Sequence, residues 1–394
     1  MRDVHRSLLL LGLAHLLASS GCYLAHERDA GVDAAIQPDA AMRTDAAMRP
    51  DAAVGPCVHL IEGPSASLDG PGGVTPRLVA LDEGEVGLVY VSPGGGDPTA
   101  VRYERLGASL ERLTGPVLAA TDSWTWAEPA QTSSGIVLAF GSTADAPTVV
   151  APFDVDAGSP GPRMHVALPH PESLFRTPTG FFWLAFDSRD TNQFVLAHLA
   201  PDGSLLHPAQ RIALGRYGSG SGVIARPDGH GEVLAYPSEG PAGTRHARVN
   251  AISERGELLG ERTLSGLGAD SALPVFDGAS LYVLYRRDDG LFLASLDPTS
   301  LTTTSERPLP MLEGTLFAAS LLGHLVVGSF QAPTLTLLDV SAPGMPRLEI
   351  RSPPGGVTGG LDWVVVPGAL VMTTSLSMRG PDSTPWVVRI ECAD

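Results

Sequence analysis

The stretch Gly231-Glu232-Val233-Leu234-Ala235-Tyr236 is a short apolar run, opened by glycine and closed by an aromatic ring. It belongs to a series. GLVY ends at Tyr90, GIVLAF at Phe140, GFFWLAF at Phe186, LYVLY at Tyr285 and HLVVGSF at Phe330, and a degenerate copy, ALVMTTS, ends at Ser375. The successive intervals between these endpoints are 50, 46, 50, 49, 45 and 45 residues. A brief apolar run bounded by turn residues reads as a strand buried on both faces. Each copy follows a short apolar segment and a turn, as in RLVALDEGE before Tyr90 and LPVFDGAS before Tyr285. Each precedes a polar loop and an alternating strand, as in AVRYERL (100–106), FVLAHL (194–199), ARVNAI (247–252), LFLASL (291–296) and TLTLLDV (334–340). A turn such as APDG (200–203) or SERG (253–256) then introduces a fourth strand. Glycine, aspartate and proline dominate these turns, as tight hairpins require.

The unit is therefore a four-stranded antiparallel meander repeated seven times. A period of about 40–50 residues is that of a propeller blade. One such sheet cannot bury both faces, whereas seven packed radially can. The reading is an all-β, seven-bladed β-propeller over 57–394, with a six- or eight-bladed ring or two sandwiches as alternatives. The ends refine it. Cys57-Val58-His59-Leu60-Ile61 reads as a lone strand before the first blade. The seventh blade offers strands at 361–366, 370–375 and 386–391, one short of four. The N-terminal strand is expected to supply the missing outer strand and close the ring. Cys57 and Cys392 would then lie on adjacent strands.

The first 22 residues read differently. Arg2 and Arg6 precede an apolar run, Leu8 to Ala18, too short to span a bilayer. Ala18, Ser19, Ser20 and Gly21 then lead to Cys22. This resembles a bacterial lipoprotein signal ending at the cysteine to be lipidated, although Ser19 stands where that family prefers leucine. With Cys22 lipidated, Cys57 and Cys392 remain as an even pair, and an exported setting favours a disulfide between them. Residues 23–56 carry four DAA units with Pro38, Pro50 and Pro56, and no large apolar residue at helical spacing. This is the composition of a disordered linker, a tether of roughly 30 Å as a coil. The signal, the Asp/Ala-rich tether and the repeat together resemble predicted lipoproteins of myxobacteria that carry a seven-bladed propeller. That resemblance implies an address and an architecture but no site residues. No WD, kelch, YWTD or Asp-box signature is present.

Charge and composition narrow the function. Acidic residues number 43 against 26 basic, giving a net charge of -17, and every basic residue is arginine. A nucleic-acid binder would show a basic face, so that class is excluded. The absence of lysine removes Schiff-base and Walker-type chemistry. Gly218-Ser219-Gly220-Ser221-Gly222 lacks the glycine spacing and following helix of a hydrolase elbow. Asp187-Ser188-Arg189-Asp190-Thr191-Asn192 offers oxygen ligands but no EF-hand glycine or closing glutamate. No catalytic residue, metal site or cofactor is assigned. Trp124 and Trp126 alternate, which would place both rings on one face of a strand, as inter-blade packing or as a stacking platform for a ligand.

The function expected is a lipid-anchored binding or scaffold module of the cell envelope, displaying loops on a rigid ring. It is expected to be monomeric, exported and outer-membrane-anchored, facing either the periplasm or the cell surface. Its partner would be an envelope protein or glycan. The alternative is a polysaccharide hydrolase or lyase with carboxylates at the channel mouth.

Overall fold

The computed structural model describes residues 59–393 apart from 69–73, 93–98, 122–123, 125, 133–134, 142–147, 157, 178, 187–192, 214–215, 218–221, 227–230, 240–242, 355, 358–360 and 378–382. The signal, Cys22, the linker, Cys57, the Asp187–Asn192 loop and Ser219 and Ser221 lie outside the described residues. Seven antiparallel sheets form in chain order. In each, a first strand lies innermost and the chain steps outward. Blade 1 runs Val74–Ala80, Val86–Ser92, Ala100–Leu106 and Arg112–Thr121. The innermost strands of the next five blades are Trp126–Thr132, Pro171–Arg176, Arg216–Tyr217 with Gly222–Ala225, Ser271–Phe276 and Thr315–Leu321. The inner edge of blade 7 is Gly356–Val357 followed by Asp362–Val366. Among the described residues helical backbone is confined to the single turn Asp82–Gly84 and to Gly243, and no helix is long and apolar enough to cross a membrane.

Closure follows the expected plan. The N-terminal strand His59–Ser67 pairs with the last strand, Ser383–Ala393, as the outer strand of blade 7. The register sets Leu60 opposite Cys392 and Ser67 opposite Trp386, with a shift between Glu62 and Ser65. Blade 7 thus takes three strands from one end of the chain and one from the other, so the ring closes through a hydrogen-bonded ladder.

The second strands explain why the apolar runs recur. Successive residues of a strand point to opposite faces, and both faces meet a neighbouring blade. Leu88 packs between blades 7 and 1, whereas Val89 packs between 1 and 2. Phe182 and Trp183 divide in the same way between the 3/4 and 2/3 seams. Val326 and Val327, and Leu370 and Val371, repeat the division. Seven apolar clusters result, one in each seam. Turn chemistry fixes where these strands begin. A Cβ on Gly180 or Gly231 would lie 1.9 or 2.0 Å from the carbonyl oxygen of Leu199 or Ile252. Only glycine lets the second strand enter so close to the third.

Candidate functional site

The innermost strands wall a central channel, and their side chains divide it into two arcs. Ser271–Phe276 and Thr315–Leu321, from blades 5 and 6, contain no charged residue, and on the inner edge of blade 4 the only charged residue is Arg216, in the short segment Arg216–Tyr217 ahead of Gly222–Ala225. The other arc is polar. Arg77 stands on the inner strand of blade 1, and its Nε donates to Glu128 Oε1 of blade 2 at 2.7 Å. Glu128 is buried, and Arg77 is about a quarter exposed. Asp362 opens the inner strand of blade 7, and its Oδ2 accepts the Leu78 N–H of blade 1 at 2.6 Å. Side chains therefore tie three consecutive blades across the channel wall.

Electrostatics separates the two carboxyls. Burial raises Asp362 above the ordinary aspartate range, and the Arg77 charge and the Leu78 and Trp363 backbone N–H groups offset part of that rise. Glu128 is held in an ion pair. His170, at the entrance to blade 3, is pushed down to about 4 by burial, with the Arg77 charge adding to the effect. It is a neutral imidazole at neutral pH. Its ring meets the Trp126 indole edge-on, with centroids 4.2 Å apart. The arc thus runs Asp362, Arg77, Glu128, Trp126, His170 over blades 7, 1, 2 and 3. It offers two carboxyls, a guanidinium between them and a neutral aromatic pair. Such a set can hydrogen-bond hydroxyl or amide groups and pack against their apolar faces.

Trp126 is the first residue of its strand and packs against the cluster of the 2/3 seam. Gly141 lies directly opposite, and a Cβ there would approach the indole to 2.6 Å. The missing side chain makes room for the ring. Trp124 precedes the strand and packs edge-on against Phe140 at 4.8 Å, in the 1/2 seam. The two rings therefore enter neighbouring seams, and only Trp126 reaches the polar arc. Arg77, Glu128, Asp362 and His170 were not singled out from sequence. Arg77 and Glu128 are 51 residues apart, and only ring closure brings Asp362 to Leu78. One sign was available: single charges interrupt otherwise neutral first strands in TPRLVA, WAEPA and LDWVVV. Among the described residues, no three His, Cys, Asp or Glu side chains group to hold a metal ion.

No protein-family model matches the sequence, and no curated protein matches it either. Solved structures do. The β-propeller domain of Cps50 (Swd1) from Myceliophteria thermophila superposes with a TM-score of 0.52 at 11% identity, covering 84% of this chain and 100% of that one. The WD40 domain of Toxoplasma gondii coronin gives 0.51 at 10% identity, covering 85% and 88%. A Dyadobacter fermentans protein of unknown function gives 0.50 at 11% identity, covering 85% and 99%. At these identities the likeness concerns the fold alone, and the fold of this chain is a seven-bladed β-propeller.

Proposed function

We propose that this chain is a lipid-anchored binding or scaffold module of the cell envelope and that the polar arc at the channel holds its ligand. One observation supports the placement above others. Charged and aromatic side chains gather on the inner strands of blades 7, 1 and 2 and at His170 just before that of blade 3, while the inner strands of blades 5 and 6 carry no charge. Segregation of this kind gives a ligand one face to hydrogen-bond and another to pack against. Acid in excess over base disfavours an anionic partner. A neutral glycan or a basic envelope protein fits. The anchor is read from the segment ending at Cys22, the spacer from residues 23–56, and an oxidised Cys57–Cys392 pair from the exported setting.

Two measurements test this. Mass spectrometry of the membrane-extracted chain should find the mature N-terminus at Cys22 carrying acyl chains, and an unmodified Cys22 would remove the anchor. The full chain should retain a specific envelope protein or a neutral glycan from solubilised envelope, and the Arg77→Met and Trp126→Ala variants should lose it. Equal retention by both variants would remove the site.

One observation favours a second reading. Burial raises Asp362 above the ordinary aspartate range, while Glu128 is paired with Arg77. Two carboxyls in one channel whose surroundings differ in this way are the elements of general acid–base cleavage of a glycoside. Shortening of an envelope polysaccharide by the wild type, but not by Asp362→Asn or Glu128→Gln, would establish it.

A further inference from the structure

The seam between blades 3 and 4 differs from the other six. In each blade, the first residue of the second strand to face the preceding blade is buried. Around the ring these residues are Val86, Ile136, Phe181, Leu281, Leu325 and Leu370 in blades 1, 2, 3, 5, 6 and 7. In blade 4 the residue is Glu232, which is fully buried. Neither of its carboxylate oxygens has a hydrogen-bond partner. Its cross-strand partner is Ile252, and the next pair on the same face is Leu234 with Asn250. Asn250 is also fully buried; neither amide atom meets strict hydrogen-bond geometry, and the polar group beside it is the Tyr236 hydroxyl. Leu234 and Ile252 pack in the 3/4 seam, so Glu232 and Asn250 face blade 3.

Blade 3 adds a third group at the same end of the seam. His198 lies opposite Phe182, whose ring sits tilted against it with centroids 4.6 Å apart. Its Nε2 is engaged by the Thr177 and Thr179 hydroxyls at 3.0 and 3.2 Å, and its Nδ1 is buried without a partner. Among the described residues, nine buried side-chain nitrogen or oxygen atoms lack a partner, and Glu232, Asn250 and His198 supply five of them.

Unpartnered polar atoms concentrated in one place are what an internal hydration site looks like from the protein side. A buried water makes about three hydrogen bonds to such groups. Apolar residues occupy the position of Glu232 in every other blade, so close packing does not require a carboxyl there. We propose that Glu232, Asn250 and His198 enclose bound water in the 3/4 seam, and that this seam is where the ring loosens when Glu232 ionises.

Among the described residues, no compensating charge meets Glu232. The titratable groups facing the seam from blade 3 are His198 and His207, whose rings are 5.9 Å apart. From blade 4 they are Tyr236, Arg248, Glu254 and Glu261. Arg248 is occupied by Glu261 at 3.3 Å, and Glu254 acts on His198. Burial alone moves the Glu232 carboxyl, up to about 8. At neutral pH it is protonated and can donate to enclosed water. As an anion it has no partner in an apolar wall, and hydration through an opened seam is its way to lower that cost.

Hydrogen exchange of the full chain at pH 6 and pH 9 tests the proposal. The peptides to follow cover the second and third strands of blades 3 and 4, with those of blades 5 and 6 as the internal reference for base catalysis. The expected result is a loss of relative protection of tenfold or more at the 3/4 seam between the two pH values. The isosteric, non-titrating Glu232→Gln variant should show no such loss. A ratio unchanged with pH in the wild type, or an equal loss in Glu232→Gln, overturns the gating. A crystal structure at pH 6 should show ordered water against Glu232 and Asn250, and a dry seam overturns the hydration site.

Discussion

Arg389 is the place to test how the ring closes. It lies in the last strand, opposite Val371, and faces blade 1. Its Nη1 donates to the carbonyl oxygen of Gly84, in the turn between the first two strands of blade 1, at 3.0 Å. Its Nε donates to Glu391 at 2.9 Å. The Arg389 side chain is 8% exposed and that of Glu391 is 37% exposed. The two bonds are therefore unequal. A buried hydrogen bond from a charged donor contributes about 1.5–3 kcal/mol, and removing the donor also leaves the buried Gly84 carbonyl unsatisfied. A half-exposed ion pair contributes less than about 1 kcal/mol. Arg389→Met keeps much of the side-chain volume and removes the guanidinium. It should cost about 3 kcal/mol, a large part of the roughly 5–15 kcal/mol of a folded domain. Glu391→Gln should cost under about 1 kcal/mol. Equilibrium urea unfolding, followed through the buried Trp183 and Trp386, reads both. The midpoint should fall for Arg389→Met with the slope unchanged. If Arg389→Met stays within about 0.5 kcal/mol of wild type, or if Glu391→Gln costs as much, the Gly84 bond is not what holds blade 7 to blade 1.

Three further outcomes are expected. A carboxyl raised from 4.5 to about 8 in the folded state favours folding fully below pH 4.5, and that contribution is lost as pH rises through 8. At about 1.4 kcal/mol per unit, the loss attributable to Glu232 is about 3 kcal/mol by pH 7. The difference in unfolding free energy between Glu232→Gln and wild type should therefore change with pH by that amount, and a difference independent of pH refutes it. Gly141→Ala should cost about 1–3 kcal/mol by overpacking against Trp126, read as a lowered thermal midpoint. The same substitution in the Trp126→Ala background should cost much less. Peptide mapping under non-reducing conditions should recover Cys57 joined to Cys392, and recovery of both as free thiols ends that pairing.

The fold was legible because burial on two faces leaves a continuous apolar run, and seven such runs at near-constant spacing have few architectures that satisfy them. The strand expected at 361–366 is Asp362–Val366, and that expected at 370–375 is Ala369–Ser377. The site was less legible for a reason that Trp124 and Trp126 illustrate. Alternation assigns faces only within a strand, and this strand begins at Trp126, so Trp124 turns toward the other seam. Arg77 and Asp362 owe their proximity to closure of the ring, which no local pattern encodes. Glu232 reads in sequence as a polar residue at a turn, because it directly follows Gly231. It is buried because blade 3 packs over that turn.

The N-terminal strand has a mechanical consequence for a tethered reading of the chain. If the anchor lies at Cys22, any pull on the folded ring reaches it at His59, the first residue paired with the last strand. His59–Ser67 is an outer strand held along one edge only, and its ladder is interrupted between Glu62 and Ser65. Load applied at the His59 end would open pairs one after another from Ala393 inward, the weakest way to strain an antiparallel ladder. A covalent link between Cys57 and Cys392 would join the chain ahead of His59 to the last strand and carry the load there. That strand is hydrogen-bonded on both sides and clamped to blade 1 through Arg389. The closure that completes the fold would then also keep a tethered propeller from unzipping at its own seam.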